Sequence, residues 1–327
     1  MKKLLAIIVL FSLLFVSNTN ILAAENTTKS TSITAVDKIS NENLEITWSK
    51  VADSDGYRIY RSTEYNGEFT MLKDLTSNKY VDKVTAGSRY YYKVNSYKIQ
   101  KGKKVFTEYS TIKSAYVNAK GIPSISSADL KDINVSSNDL IVVAVNDESS
   151  TSANFTYLRK SQYGNWVTYF STIGFVGKNG IGKTKEGDGK TPIGLFQFNT
   201  AFGVASKPEG TKISYTKVDS SYWLVSDSSS KYYNQFVSTK NVKQDWGSSF
   251  GEQLFNYTTP YKYSLVLNYN PTNIPYKGSA IFLHCYSSKQ YTAGCIAIPE
   301  AKMKYLLKNI DENTTILIDT KENLKKY

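Results

Sequence analysis

The chain has 327 residues, enough for about two domains of roughly 100–200 residues each, and 41% of them are hydrophobic, enough for globular cores. Its formal net charge is +12, carried by lysines scattered along the chain without a basic helix or an Arg-rich run. That pattern argues against sequence-specific nucleic-acid binding and reads mainly as a solvated Lys-rich surface.

The first element is a targeting segment. Lys2 and Lys3 precede a run from Leu4 to Val16 that is apolar except for Ser12, and Ala23-Ala24 then lead into polar Glu25-Asn26. This is the layout of a secretory signal peptide over residues 1–24, with an uncleaved anchor as the alternative because Leu22 makes an imperfect cleavage box. The apolar run is short for a bilayer span, and no later segment is apolar enough, so no stable membrane span is expected in the mature form.

Residues 33–118 read as all-β. Leu44-Glu45-Ile46-Thr47-Trp48 and Gly56-Tyr57-Arg58-Ile59-Tyr60-Arg61 alternate with period two, as does Arg89 to Tyr97; Tyr65-Asn66-Gly67 turns the chain before a strand at Phe69–Leu72. Strands of this length and spacing predict a sandwich. On Trp48, the strand Gly56–Arg61 and Tyr90/Tyr92/Val94, the segment resembles a fibronectin type III module. The resemblance implies a spacer or binding platform with a tyrosine corner.

Residues 119–137, with Gly121, Pro123 and five serines, have the composition of a linker. Strands are expected again at Asp139–Val145, Phe155–Lys160 and Trp166–Ser171, followed by a Gly-rich stretch from Gly174 to Gly194 and polar loops. Among these, Lys231-Tyr232-Tyr233-Asn234 reads as surface tyrosines, with the lining of a substrate cleft as the alternative. Further strands are expected at Tyr263–Asn268, Ala280–His284 and Thr315–Asp319, and a helix from Pro299, tolerated at a first helical position, to about Asn309. Residues 138–322 thus form a β-rich second domain with a few short helices, and the whole chain is mainly β.

Gly177-Lys178-Asn179-Gly180-Ile181-Gly182-Lys183-Thr184 matches the phosphate-loop pattern. The chemistry of that loop needs a helix opening at Lys-Thr, and Lys185-Glu186-Gly187-Asp188-Gly189-Lys190-Thr191-Pro192 cannot supply one, so no nucleotide is expected. Asp53, Asp55 and Asp188 sit in turn-like settings suited to local backbone hydrogen bonding. One His and two Cys offer at most three soft ligands, so neither a metal nor another cofactor is expected.

His284, Cys285 and Cys295 lie in one short segment that holds the only imidazole and both thiols. His284 ends an apolar strand, where a polar ring must be solvated, partnered or functional. Gly294 before Cys295 permits a tight turn that leaves backbone N–H groups facing an incoming carbonyl oxygen. A thiolate nucleophile needs a base or a positive charge nearby, and His284 is the base the chain offers. The expectation is a Cys295 sulfur held as an anion beside His284. A Cys285–Cys295 disulfide, which would silence it, is the competing arrangement.

The second domain resembles an L,D-transpeptidase catalytic domain of the YkuD type. Asp188–Phe196 is similar to the family's Gly-Thr-Pro-x-Gly segment, Ile281–His284 to its His-bearing strand, and Thr292-Ala293-Gly294-Cys295-Ile296 to its Ser-His-Gly-Cys signature. Ala293 and Ala297 depart from that signature, and the His284–Cys295 spacing is shorter than usual, which places the chain in a divergent branch. The resemblance implies a secreted cell-wall enzyme acting on peptidoglycan stem peptides. Cys295 would be its nucleophile, His284 its base, and the backbone N–H groups of Ala293, Gly294 and Cys295 its oxyanion donors, the product being a 3→3 cross-link. Hydrolytic use of the same site, as an L,D-carboxypeptidase or wall-peptide amidase, is one alternative; a wall-binding or adhesive protein with an inactive second domain is another. Anionic wall polymers are a further partner consistent with the basic charge.

Overall fold

The computed structural model describes residues 30–118, 125, 129–130, 133–247 and 249–327. The signal segment expected over 1–24, and Gly121 and Pro123 of the linker, lie outside them.

Eight strands make the first unit: β1 (Ile33–Lys38), β2 (Asn43–Trp48), β3 (Gly56–Ser62), β4 (Thr70–Leu75), β5 (Lys79–Lys83), β6 (Ser88–Gln100), β7 (Lys103–Phe106) and β8 (Lys113–Val117). Sheet β1-β2-β5 packs on a second sheet in which β3 lies between β4 and β6, and β6 pairs in turn with β7 and β8. The period-two pattern becomes alternate burial: Leu44, Ile46 and Trp48 face Tyr57, Ile59, Tyr90, Tyr92 and Val94 in one core. The expected tyrosine corner is formed by Tyr90, whose hydroxyl accepts from Thr85 N at 2.9 Å and donates to Thr85 O at 3.1 Å.

The second unit begins with β9 (Asp139–Val145), β10 (Ser152–Lys160) and β11 (Trp166–Phe175), a meander in which β9 is buried on both faces. Short strands β12 (Gly194–Phe196), β13 (Phe198–Gly203) and β14 (Tyr215–Lys217) follow, then β15 (Tyr222–Val225), β16 (Phe236–Ser238) and β17 (Gly251–Gln253). Last come β18 (Ser264–Leu267), β19 (Phe282–Cys285), β20 (Ile296–Ile298), helix α1 (Glu300–Asn309) and β21 (Thr315–Thr320). The main sheet runs β12-β21-β9-β10-β11-β20-β19-β18-β13-β14, with β21/β9, β20/β19 and β13/β14 parallel. Helix α1 buries Met303, Leu306 and Leu307 against one face of it.

Two differences from the sequence reading stand out. Ile125, Leu130, Ile133 and Val135, read as linker, are buried against Leu140, Val142, Leu158, Leu317 and Leu324. The polar loops contain a small sheet, β16-β15-β17, whose strands of three or four residues are too short for alternation to reveal. The two units also touch. Ser88 pairs with Phe170, Arg89 Nε donates to Thr168 O at 2.8 Å, and Lys302 Nζ donates to Ser88 Oγ at 2.9 Å. Among the described residues no helix is long and apolar enough to cross a membrane.

Candidate active site

The site is built where parallel strands β19 and β20 meet. Their register pairs Leu283 with Ile296, His284 with Ala297 and Cys285 with Ile298, so Cys295 falls opposite Phe282. Side chains alternate across a strand. Leu283, Cys285, Ile296 and Ile298 therefore enter the core beneath α1, whereas Phe282 and Cys295 join Phe202, Leu254 and Tyr261 on the other face. His284 lies on that second face too, its ring edge-on to Tyr261 with centroids 5.5 Å apart. The two cysteines thus sit on opposite faces of the sheet and both are free thiols, which removes the competing disulfide.

The imidazole has a defined tautomer. Nδ1 lies 2.8 Å from the carbonyl oxygen of Cys285, and because a carbonyl only accepts, Nδ1 carries the proton and Nε2 keeps its lone pair. The thiol is held as well: Cys295 Sγ donates to Ala280 O at 3.2 Å and accepts from Phe282 N at 3.3 Å. Ala280 adopts φ +58°, uncommon for a residue with a Cβ. Its amide donates to Asn234 Oδ1 at 3.2 Å, and Asn234 Nδ2 binds the carbonyls of Tyr269 and Asn270. The Tyr-Asn segment is thus part of the support of Cys295. Tyr233 is buried, accepting from Gly278 N at 2.9 Å and donating to Glu186 Oε2 at 2.6 Å, so it is not a surface tyrosine.

The expected sulfur anion is corrected by the surroundings. Burial, reinforced by the charge of Glu252, pushes the Cys295 thiol up to about 12 despite the opposing Phe282 amide and Lys183. Burial likewise depresses His284 to about 4, against the Cys285 hydrogen bond. Desolvation disfavours both charged forms, so the closed site holds a neutral thiol and a neutral imidazole.

The turn before Cys295 is clamped from the Gly-rich stretch. Thr191 is fully buried; its Oγ1 accepts from Gly177 N at 2.9 Å and donates to Gly294 O at 2.8 Å and Cys295 O at 3.1 Å. Thr292 Oγ1 also donates to Cys295 O, at 2.6 Å, and accepts from Gly294 N at 3.1 Å. Gly294 has φ +150°, and a Cβ there would stand 3.0 Å from Lys190 O, so glycine is required. Among the described residues, the amides of Ala293 and Cys295 donate to no protein group, while that of Gly294 is engaged by Thr292.

The phosphate-loop match has a different job. No helix follows Lys183-Thr184; Gly177 bridges Thr292, and Lys178 N donates to Thr292 O at 2.8 Å. Lys183 is buried in an ion pair with Asp188 at 2.9 Å. Burial pushes the Asp188 carboxyl up, but donors from Thr184, Lys183, Lys185 and Lys190 outweigh it and hold the group at about 2. Among the described residues no cluster of three or more His, Cys, Asp or Glu side chains could hold a metal.

The family model described as the L,D-transpeptidase catalytic domain, YkuD, matches residues 142–318, more than half of the chain and all of the site just described. The chain belongs to the L,D-transpeptidase family. No curated protein sequence matches it. Among solved structures, it is similar to an Fn3-like protein from Clostridium thermocellum, at 26% identity over 31% of this chain and 98% of that one, with a TM-score of 0.25. It is also similar to the fibronectin type III domain of human fibronectin type III domain containing protein 3, at 19% identity over 32% of this chain and 99% of that one, with a TM-score of 0.26.

The structure brings Cys295 and His284, the pair singled out in the sequence, onto one sheet face of the L,D-transpeptidase domain, and adds supporting groups that the sequence reading missed. Thr191 was visible only as part of a similar segment and Asn234 only within a segment whose favoured reading was surface tyrosines, while Tyr261 and Glu252 carried no signal because their ties to Phe282 and Cys295 form only in the fold. Ser264, directly opposite His284 in the β18/β19 register, is fully buried with no hydrogen-bond partner for its hydroxyl among the described residues.

Proposed function

We propose that the protein is an exported cysteine acyltransferase that forms 3→3 cross-links between peptidoglycan stem peptides through a Cys295 thioester. The observation that carries this reading is the placement of Cys295 and His284 on one sheet face, with Nδ1 of His284 committed to Cys285 O and Nε2 free to accept a proton.

The steps follow from those positions. A tetrapeptide stem enters against the apolar face that holds Phe282 and Tyr261, and the Cys295 S–H turns from Ala280 O toward His284 Nε2. Because both groups are neutral at rest, the proton moves to the imidazole as sulfur attacks the carbonyl of the third stem residue, and no free thiolate accumulates. Backbone N–H groups of the Ala293-Gly294-Cys295 turn receive the oxyanion; those of Ala293 and Cys295 are the uncommitted ones, and such donors are worth about 3–4 kcal/mol each. His284 returns its proton to the departing D-alanine amine. An amine of a second stem then attacks the thioester, and the thiol is regenerated. The first unit would serve as a spacer or wall-binding platform.

The test is incubation of the protein with a disaccharide-tetrapeptide and mass spectrometry of protein and products. An adduct on Cys295 with loss of D-alanine, followed by a cross-linked dimer, is the expected result. A tripeptide as the only product would convert the assignment to an L,D-carboxypeptidase. No adduct and no product in reducing buffer would leave only the binding role.

A further inference from the structure

One ionisable group beside the nucleophile has no part in those steps. Glu252 lies on β17, in the small sheet that covers the site, and is half-buried. Its carboxylate accepts a hydrogen bond from the Tyr261 hydroxyl. The Tyr261 ring packs edge-on against both His284 and Phe282, each with centroids 5.5 Å apart, and Phe282 N donates to the Cys295 sulfur. Leu254, two residues beyond Glu252, is in the same apolar cluster as Tyr261, Phe282 and Cys295. Glu252 is therefore one side chain removed from the reacting pair.

A carboxylate in that position is a liability for acyl transfer as such. Its charge opposes the negative charge that develops on sulfur and on the oxyanion, and in a dry pocket like charges interact strongly. The opposition is visible at both ends: Glu252 raises the Cys295 thiol, and burial, with a contribution from Glu186, raises Glu252 itself. Among the described residues no cation is paired with it. Facing Glu252 are Tyr261, Tyr257 and Glu186; facing Cys295 are Tyr261 and Lys183, and Lys183 is spent on Asp188. The carboxylate accepts up to about four hydrogen bonds, and Tyr261 fills one position. The remaining positions suit a charged N–H donor.

We infer that Glu252 is a catalytic residue for the second half-reaction, where it binds the ammonium group of the acyl acceptor beside the Cys295 thioester and takes its first proton. This rests on the acyl-transfer reading above. The step balances. R–NH3+ gives one proton to the Glu252 carboxylate, and the neutral amine attacks the thioester carbonyl. A C–N bond forms and the C–S bond breaks. His284 takes the second nitrogen proton and returns it to the sulfur, and Glu252 releases its proton to solvent. The ligand class is a primary ammonium, and the consequence is selection of amine over water as acceptor.

The experiment uses the full chain, a tetrapeptide donor and a diaminopimelate-containing stem as acceptor, with the Cys295 acyl-enzyme followed by mass spectrometry. In the Glu252→Gln protein the acyl-enzyme is expected to form no more slowly than in the wild type, because the charge opposing the sulfur is gone. The ratio of cross-linked to hydrolysed product is expected to fall about a hundredfold at pH 7, the typical worth of a positioned base. That ratio should rise tenfold per pH unit in E252Q, because only free amine then reacts, while in the wild type it levels off above the Glu252 titration. Tyr261→Phe retains the ring and deletes the donor, so the level region should begin at higher pH. A merely structural role for Glu252 would leave the pH profile unmoved. Equal partition ratios in wild type and E252Q overturn the inference. Absence of any Cys295 adduct in the wild type would instead overturn the acyltransferase reading.

Discussion

Thr191 offers the most direct check on how the turn at Cys295 is held. Thr191→Val is nearly isosteric and opens no cavity, so its effect isolates the hydroxyl, which is buried and makes three contacts of 2.8–3.1 Å. Deleting it strands the Gly177 N–H, at about 1–3 kcal/mol for a buried donor, and loses the proton shared by Gly294 O and Cys295 O, at about 1 kcal/mol. Cys295 O keeps Thr292 Oγ1, so the loss is partial. The sum is about 2–4 kcal/mol, or about 5–12 °C in the melting temperature of a unit this size. Urea titration of wild type, T191V and Thr191→Ser would measure it, with the serine variant, which restores the hydroxyl, recovering most of the loss. A T191V protein within about 0.5 kcal/mol of wild type, the range of ordinary surface substitutions, would refute the clamp.

Three other outcomes are expected. His284 is depressed from 6.5 to about 4, so the folded state is favoured above 6.5 and loses that advantage as pH falls toward 4. The loss is about 3 kcal/mol at 1.36 kcal/mol per unit, and a His284→Gln protein should lack it in stability-versus-pH curves. Asp188→Asn leaves Lys183 buried without its carboxylate and should cost about 3 kcal/mol by urea titration; an unchanged midpoint would mean the pair is dispensable. Denatured without reductant, the protein should show two titratable thiols, and a count of zero would contradict the opposite-face placement of Cys285 and Cys295.

Much of the fold was legible because its signals are local. Alternation in Leu44–Trp48 and Gly56–Arg61 places one face of each strand in a core, and the continuous apolar run Leu140–Val145 marks a strand buried on both sides. The helix at Glu300–Asn309 was announced by Pro299. The strands at 222–225, 236–238 and 251–253 were not legible, since three or four residues are too few to show a period.

The same division runs through the site. The sequence by itself determined which groups can do chemistry: one imidazole, one thiol after a glycine, and a Gly-rich stretch unable to form a phosphate loop. Tertiary structure alone decided what state those groups are in. Parallel pairing of β19 with β20 put Cys295 and His284 on one face and Cys285 on the other, and the cover formed around Tyr261 and Glu252 removed the water that would have let the sulfur ionise. Protonation depends on solvent and neighbouring charge, and both are supplied by residues far apart in the chain that meet only when it folds.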